Sequence, residues 1–190
     1  MISPNARVLD IGCGDGALLE LLREEKNVDG RGIEINQKNV NHAVAKGLSV
    51  IQGDADSDLI NYPDKSFDYA VLSLTIQATK NPKLVLEQLL RIADYAIVSF
   101  PNFGHWKIRW QILAFGRMPV TDKLPERWYD TPNIHFCTVK DFATLCKTIN
   151  TKVEEAISIN GYGKELSDDI PLFIHNLLGR EAVFLLSKNK

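Results

Sequence analysis

The residues Val8-Leu9-Asp10-Ile11-Gly12-Cys13-Gly14-Asp15-Gly16 carry the densest chemical signal in this chain. An aliphatic run enters a turn with glycine at every second position, and a helical pattern follows. Glycines let the backbone approach a ligand closely and take up φ > 0. A helix N-terminus just beyond offers free N–H groups and a positive dipole. Two cofactor classes use such a turn. A dinucleotide wants G-x-G-x-x-G, so that its pyrophosphate meets bare N–H groups. Here the third glycine arrives one residue early, Asp10 stands two residues before the first, and Asp15 lies inside the turn. Carboxylates there oppose a pyrophosphate but suit a ligand bearing an ammonium and a sulfonium, as S-adenosylmethionine does. Glu34, 18 residues after Gly16, ends the next strand pattern and is placed to accept from ribose hydroxyls. Asp54 follows the third strand pattern, where an adenine amino group needs an acceptor. Singly, each acid reads equally well as a helix cap, and the turn alone as a tight turn without a ligand. Together they point to S-adenosylmethionine or its product, S-adenosylhomocysteine.

Methyl transfer asks little of side chains beyond in-line orientation of acceptor and donor. A general base adds about 10²–10⁴-fold where the acceptor must lose a proton. His105, just after the fifth strand pattern, is the candidate for a catalytic role, weighed evenly against a structural hydrogen bond. His135 in Asn133-Ile134-His135 reads rather as structural, and Tyr129 and Asp130 are weaker candidates. His42 on a helix face and His175 in a late loop are expected to face solvent. Cys13, Cys137 and Cys146 are odd in number and lack C-x-x-C or Cys/His zinc spacing, so buried free thiols are expected and no metal site. Asp168-Asp169 reads as a solvated turn.

These residues need a scaffold, and the first half of the chain supplies one. Strand patterns at 7–11, up to 35, 48–52, 67–74 and 92–100 alternate with helical patterns. Leu18, Leu19, Leu21 and Leu22 mark the first helix. Val40, Ala43 and Val44 face inward from the second, which Gly47 stops. The third opens at Pro82 and carries Leu84, Val85, Leu86, Leu89 and Leu90. Strands apolar on both faces, alternating with helices, make a doubly wound, mostly parallel α/β sheet. Its ligands sit beyond the carboxyl ends of the strands, near the switch in strand order.

The second half changes character. Residues 100–136 hold eight of the sixteen aromatics and all three tryptophans, interleaved with Lys107, Arg109, Arg117, Lys123 and Arg127. Such a segment can be a lid over an acceptor pocket, a partner surface, or a satellite core beneath a long loop. Asp122, Glu126 and Asp130 interrupt the basic run and argue against single-strand nucleic-acid binding. Thr138-Val139-Lys140-Asp141 is a capping-box pattern opening a helix through Phe142, Leu145 and Cys146. Strands near 152–159 and 181–187 follow.

With 190 residues, 22 Lys+Arg against 24 Asp+Glu and a net charge of −2, the chain suits one domain with no broad basic footprint. No apolar run approaches the roughly 20 residues of a membrane span, and the N-terminus reads as neither signal nor transit peptide. A cytoplasmic protein, bound to neither nucleic acid nor membrane, is expected.

Residues 7–100, with Ser66-Phe67-Asp68-Tyr69-Ala70-Val71 at the fourth strand, resemble the class I S-adenosylmethionine-dependent methyltransferases. Ser99-Phe100-Pro101-Asn102-Phe103-Gly104-His105-Trp106, Gly116-Arg117-Met118-Pro119-Val120-Thr121 and residues 128–138, which include Trp128-Tyr129-Asp130-Thr131-Pro132-Asn133, are similar to the MetW family. The resemblance implies a Rossmann-like seven-stranded sheet with its last strand antiparallel, in a single domain with an aromatic insertion or lid at about 100–136. It places Asp10, Gly12, Gly14, Glu34 and Asp54 on cofactor positions, and Cys13, Ile35 and Ala55 beside them complete the expected site. It also implies a bacterial protein of methionine synthesis that acts with homoserine O-acyltransferase, as a methyltransferase or as a non-catalytic regulatory subunit. Class I enzymes normally carry a helix ahead of the first strand that helps cover the cofactor, whereas here that strand begins about seven residues in. The chain also lacks the usual glycine turn before its fifth strand.

Overall fold

A computed structural model describes residues 1–121, 124–166 and 170–189. Asp122, Lys123 and the Asp168-Asp169 turn lie outside the described residues. The elements are β1 (Arg7–Ile11), α1 (Ala17–Lys26), β2 (Asp29–Glu34), α2 (Gln37–Ala45), β3 (Ser49–Gln52), β4 (Phe67–Ser73), α3 (Pro82–Ile92), β5 (Ala93–Pro101), α4 (Trp106–Phe115), α5 (Val139–Thr148), β6 (Thr151–Ile159), α6 (Leu172–Leu178) and β7 (Glu181–Lys188). Single 3-10 turns occur at Leu59–Asn61 and Ile76–Ala78.

The strands form one seven-stranded sheet in the order β3-β2-β1-β4-β5-β7-β6. Pairings among β1 to β5 are parallel, and β7 runs antiparallel between β5 and β6. The doubly wound reading therefore holds, with the last strand reversed as expected. In β1, Val8 through Ile11 are all buried, because both faces of the sheet are covered there. Leu9 and Ile11 join the core beneath α3 and α5, with Leu86, Leu89, Phe100, Phe142 and Phe184. Val8 turns to the opposite face, against Leu22, Tyr69, Val71 and Ile97. Further along that face the cover is thin. A groove of about 310 Å³ remains open between Ile2, Leu18, Val71, Ile97 and Val183.

Helix starts follow local chemistry. The Asn36 side chain accepts from the Lys38 N–H to cap α2, and Asn81 caps α3 with Pro82 in its first turn. At α5, Thr138 Oγ1 accepts from the Asp141 N–H and donates to the Asp141 carboxylate. Phe142 and Cys146 then face the core, as the capping pattern predicts.

Several details differ from the sequence expectation. Leu21, Val44 and Leu84 point to solvent, since the sheet takes only the narrower stripes of Leu19–Leu22, Val40–Ala43 and Val85–Leu90. The aromatic segment opens with a helix, α4. His175 lies in a helix, α6, and is buried rather than exposed. Among the described residues no helix is long and apolar enough to cross a membrane.

Candidate cofactor site

Strand order changes direction at β1, which has β2 on one side and β4 on the other. A crevice therefore opens beyond its carboxyl end. A cleft of about 120 Å³ occupies that place, and Gly12, Ile35, Asp54 and Ala55 of the expected site all line it. Thr75 and Thr79, from the turn after β4, form the facing wall.

The glycine turn is held by backbone and carboxylate together. Gly12 and Cys13 donate their N–H groups to the Ile33 carbonyl at 2.8 and 3.2 Å. Gly12 sits at φ +71°, and a Cβ there would lie 2.5 Å from Thr75 Oγ1. Gly14 sits at φ +57° with open space where a side chain would project, and its N–H donates to Glu34 Oε2 at 2.9 Å. Glu34 Oε1 accepts from the Asn36 N–H at 2.8 Å. One carboxylate thus clamps the turn to the end of β2 and presents its remaining lone pairs at the rim.

Asp10 is buried at the end of β1, and its Oδ1 has no hydrogen-bond partner. Burial, reinforced by the nearby Glu34, raises its pKa from the usual carboxylate range to about 7. A buried acid with an unpartnered oxygen at this place, beside a second carboxylate, fits a positively charged ligand.

The other expected residues divide. The Cys13 side chain packs with Leu19, Val40 and Ala43. Burial, then Asp10 and Glu34, push its thiol up to about 12, so the residue offers a ligand only its backbone. Asp15 pairs with Lys46 at 3.0 Å on the surface, and that ammonium holds its carboxyl below the usual range. Asp54 Oδ1 accepts from the Asp56 N–H. Asp56 in turn accepts from the Lys80 and Asn81 N–H groups, which ties the loop after β3 to the start of α3.

His105 lies elsewhere. It precedes α4, and its Nδ1 accepts from the Lys107 N–H at 3.3 Å. It lines a separate cavity of about 200 Å³ with Lys107, Ile108, Gln111 and Arg180, which shares no residue with the Gly12 cleft. Burial first, then Arg180 and Lys107, lower its pKa. The structural hydrogen bond is present. The His135 N–H, with that of Ile134, donates to the Gln77 carbonyl, and His42 faces solvent.

Sequence reasoning missed Thr75, Thr79 and Gln77. Their signal was positional, since they follow β4 on the far side of the switch point.

This strand order, the antiparallel β7 and the glycine turn with strand-end acids define the class I S-adenosylmethionine-dependent methyltransferase fold. A methyltransferase of that kind from Thermotoga maritima superposes with a TM-score of 0.69 at 20% identity, over 99% of this chain and 84% of that one. Another, from Mesorhizobium loti, gives 0.69 at 16% identity, over 97% and 92%. With that fold, the chain belongs to the MetW family, whose model, methionine biosynthesis protein MetW, matches residues 1–186. A bifunctional methionine biosynthesis protein MetXA/MetW from Rhodopirellula baltica is 32% identical over 166 residues. That stretch is 83% of this chain, and the chain spans 27% of the length of that relative.

Proposed function

We propose that this chain binds S-adenosylmethionine or S-adenosylhomocysteine in the Gly12 cleft and acts with homoserine O-acyltransferase in methionine biosynthesis. The observation that carries the cofactor reading is the buried, unpartnered Asp10 beside Glu34 at the switch point. In this reading Gly12 and Gly14 give the ligand room against the backbone, and Glu34 accepts from the ribose hydroxyls. Ile35, which is 65% exposed, and Ala55 offer apolar faces to the purine, and Asp54 an acceptor. Asp10 supplies negative charge toward the cationic end. When bound, the cofactor supplies an activated methyl group. The partner reading is supported by the MetXA/MetW relative, whose name joins both activities in one polypeptide.

Two modes of action follow. As a methyltransferase, the chain would hold an acceptor in line with the methyl group, which is mainly orientation. As a non-catalytic subunit, it would use cofactor occupancy to regulate the acyltransferase. His105 favours the second mode, because it lines a different cavity and its ring nitrogen serves the α4 backbone.

Calorimetry with S-adenosylhomocysteine tests the shared premise. Binding is expected, lost in Asp10→Asn and Glu34→Ala, and an absence of heat at millimolar ligand would overturn it. Acyltransferase activity is then measured with each variant present. Stimulation that survives loss of cofactor binding would reject methyl transfer as its means.

A further inference from the structure

Helix α4 reads Trp-Lys-Ile-Arg-Trp-Gln-Ile-Leu-Ala-Phe, and Ile108 is its single buried residue. Trp106, Ile112 and Phe115 are exposed, Trp110 is 59% exposed and Leu113 81%. Seven of its ten residues are apolar, and they are spread around the helix rather than gathered on one stripe. That pattern belongs in an interior, and this helix has almost none. The patch continues through Met118 and Val120 to Trp128, which is 71% exposed, and Tyr129, stacked edge-on against it. Trp, Tyr, Met and Arg are the residues that anchor protein interfaces. Exposed apolar side chains this dense in one segment mark an interaction site.

Around these anchors the charge is positive. Residues 106–130 contain five basic side chains and three acidic ones, in a chain that is acidic overall. Lys107 lies over the Trp106 ring, and Arg127 donates to the Tyr129 hydroxyl, so the cations flank the aromatic anchors. A second copy of this chain docking through the same face about a two-fold axis would set these basic rims against each other. An apolar groove with an acidic rim is complementary instead.

We propose that α4, with Met118, Val120, Trp128 and Tyr129, is the surface on which the chain docks the homoserine O-acyltransferase subunit, in an apolar groove bordered by carboxylates. The assignment rests on the partner reading above and adds where contact is made and what chemistry receives it. The MetXA/MetW relative commits the occupant, because its name joins the two functions in one chain.

The test uses the full chain and the acyltransferase of the same organism, with complex formation followed by light scattering on a sizing column and by calorimetry. The double variant Trp110→Ser/Leu113→Lys alters two exposed positions, so its circular dichroism and cofactor binding should match the wild type. A control, Tyr162→Ser, removes a still more exposed ring outside the patch. A stable complex is expected for wild type and control, and at least a hundredfold weaker binding for the double variant. Arg117→Glu/Arg127→Glu should weaken it about tenfold or more, with reduced sensitivity to salt. If wild type binds and the double variant binds equally well, the docking face is wrong while the partner reading stands. If wild type does not bind at all, both fail. A wild-type homodimer that the double variant dissolves, and that excludes the acyltransferase, would assign the face to self-association and overturn the proposal.

Discussion

Asp10 sets the balance between stability and binding at the residue scale. Its pKa in the folded chain is about 7, against 3.8 when exposed. A folded value raised above the unfolded one means that the native state holds the proton more tightly. Stability from this group is therefore unaffected below about pH 4, declines between about pH 4 and 7, and stays reduced above. Each pKa unit is worth about 1.4 kcal/mol, so the ionised form of Asp10 costs at most about 4 kcal/mol. Asp10→Asn is expected to melt higher than wild type at pH 8 and at the same temperature near pH 4. Thermal scans across that range check it, and a parallel fall of both proteins with pH would refute it. Binding should move the opposite way. A cation beside Asp10 favours its ionised form, so affinity for S-adenosylmethionine rises as pH passes through about 7, with proton release. Calorimetry of the wild type in two buffers of different ionisation enthalpy measures that release, and equal heats in both buffers would refute it. This part of the site was legible because Asp10 and Glu34 stand at strand ends beside a glycine turn. Thr75 and Thr79 were not, since nothing local marks them. They reach Gly12 only through the parallel pairing of β1 with β4, which lies some 60 residues further along the chain. Asp15 misled for the same reason, because its partner Lys46 is distant in sequence.

Elements were readable where their edges had chemistry of their own. β1 ends at a glycine, α3 begins at Asn81-Pro82, and α5 begins at a Thr-x-x-Asp cap. α4 was missed because Trp106 to Ile112 alternates apolar and polar residues, the period of a strand rather than of an amphipathic helix. α6 has only seven residues and no side-chain cap. What joins these late elements to the sheet is Asn102. Its Nδ2 donates to the carbonyls of Asn176 and Gly179 at 2.9 and 2.8 Å, and its Oδ1 accepts from the N–H groups of Gly104 and Val139. One buried amide therefore ties the end of β5 to the start of α5 and to the C-terminal end of α6. Asn102→Ala would leave several buried backbone groups unpaired, each costing about 1–3 kcal/mol. We expect the melting temperature to fall by about 6–12 °C for a loss of about 3 kcal/mol in a chain of this size. Hydrogen exchange should accelerate first in α5 and α6, while β1 to β3 keep their protection. Uniform acceleration across the sheet would show that the amide supports the whole fold rather than this junction.

Across the whole molecule, the turn beside the Gly12 cleft is hydrogen-bonded to the end of the aromatic segment, a few residues beyond the proposed docking anchors. Thr75, Ala78 and Thr79 line the cleft, and Gln77 between them accepts the N–H groups of Ile134 and His135 at 2.9 and 3.0 Å. Those residues close the aromatic segment, where the Phe136 ring meets Phe103 at 4.6 Å just before α4. The turn is itself strained. Leu74 sits at φ +50°, held by the Ser99 carbonyl and hydroxyl, and Gln77 Nε2 donates to the Leu74 carbonyl at 2.6 Å. A ligand that presses on this turn must therefore act on the segment that carries the docking anchors. Linkage requires reciprocity, so whatever factor the cofactor applies to acyltransferase affinity, the acyltransferase applies to cofactor affinity. Factors of about 5–150 are usual for such coupling. Gln77→Leu removes the side-chain tie to Leu74 while keeping the volume apolar and buried. We expect it to leave each binding event within about threefold of wild type when measured alone, and to bring the coupling factor close to one. Calorimetric titrations of each ligand, with and without the other, give the four constants needed. In the wild type, the Ile134 and His135 amides should exchange more slowly once cofactor is bound. A coupling factor unchanged in Gln77→Leu would show that the two sites communicate by another route.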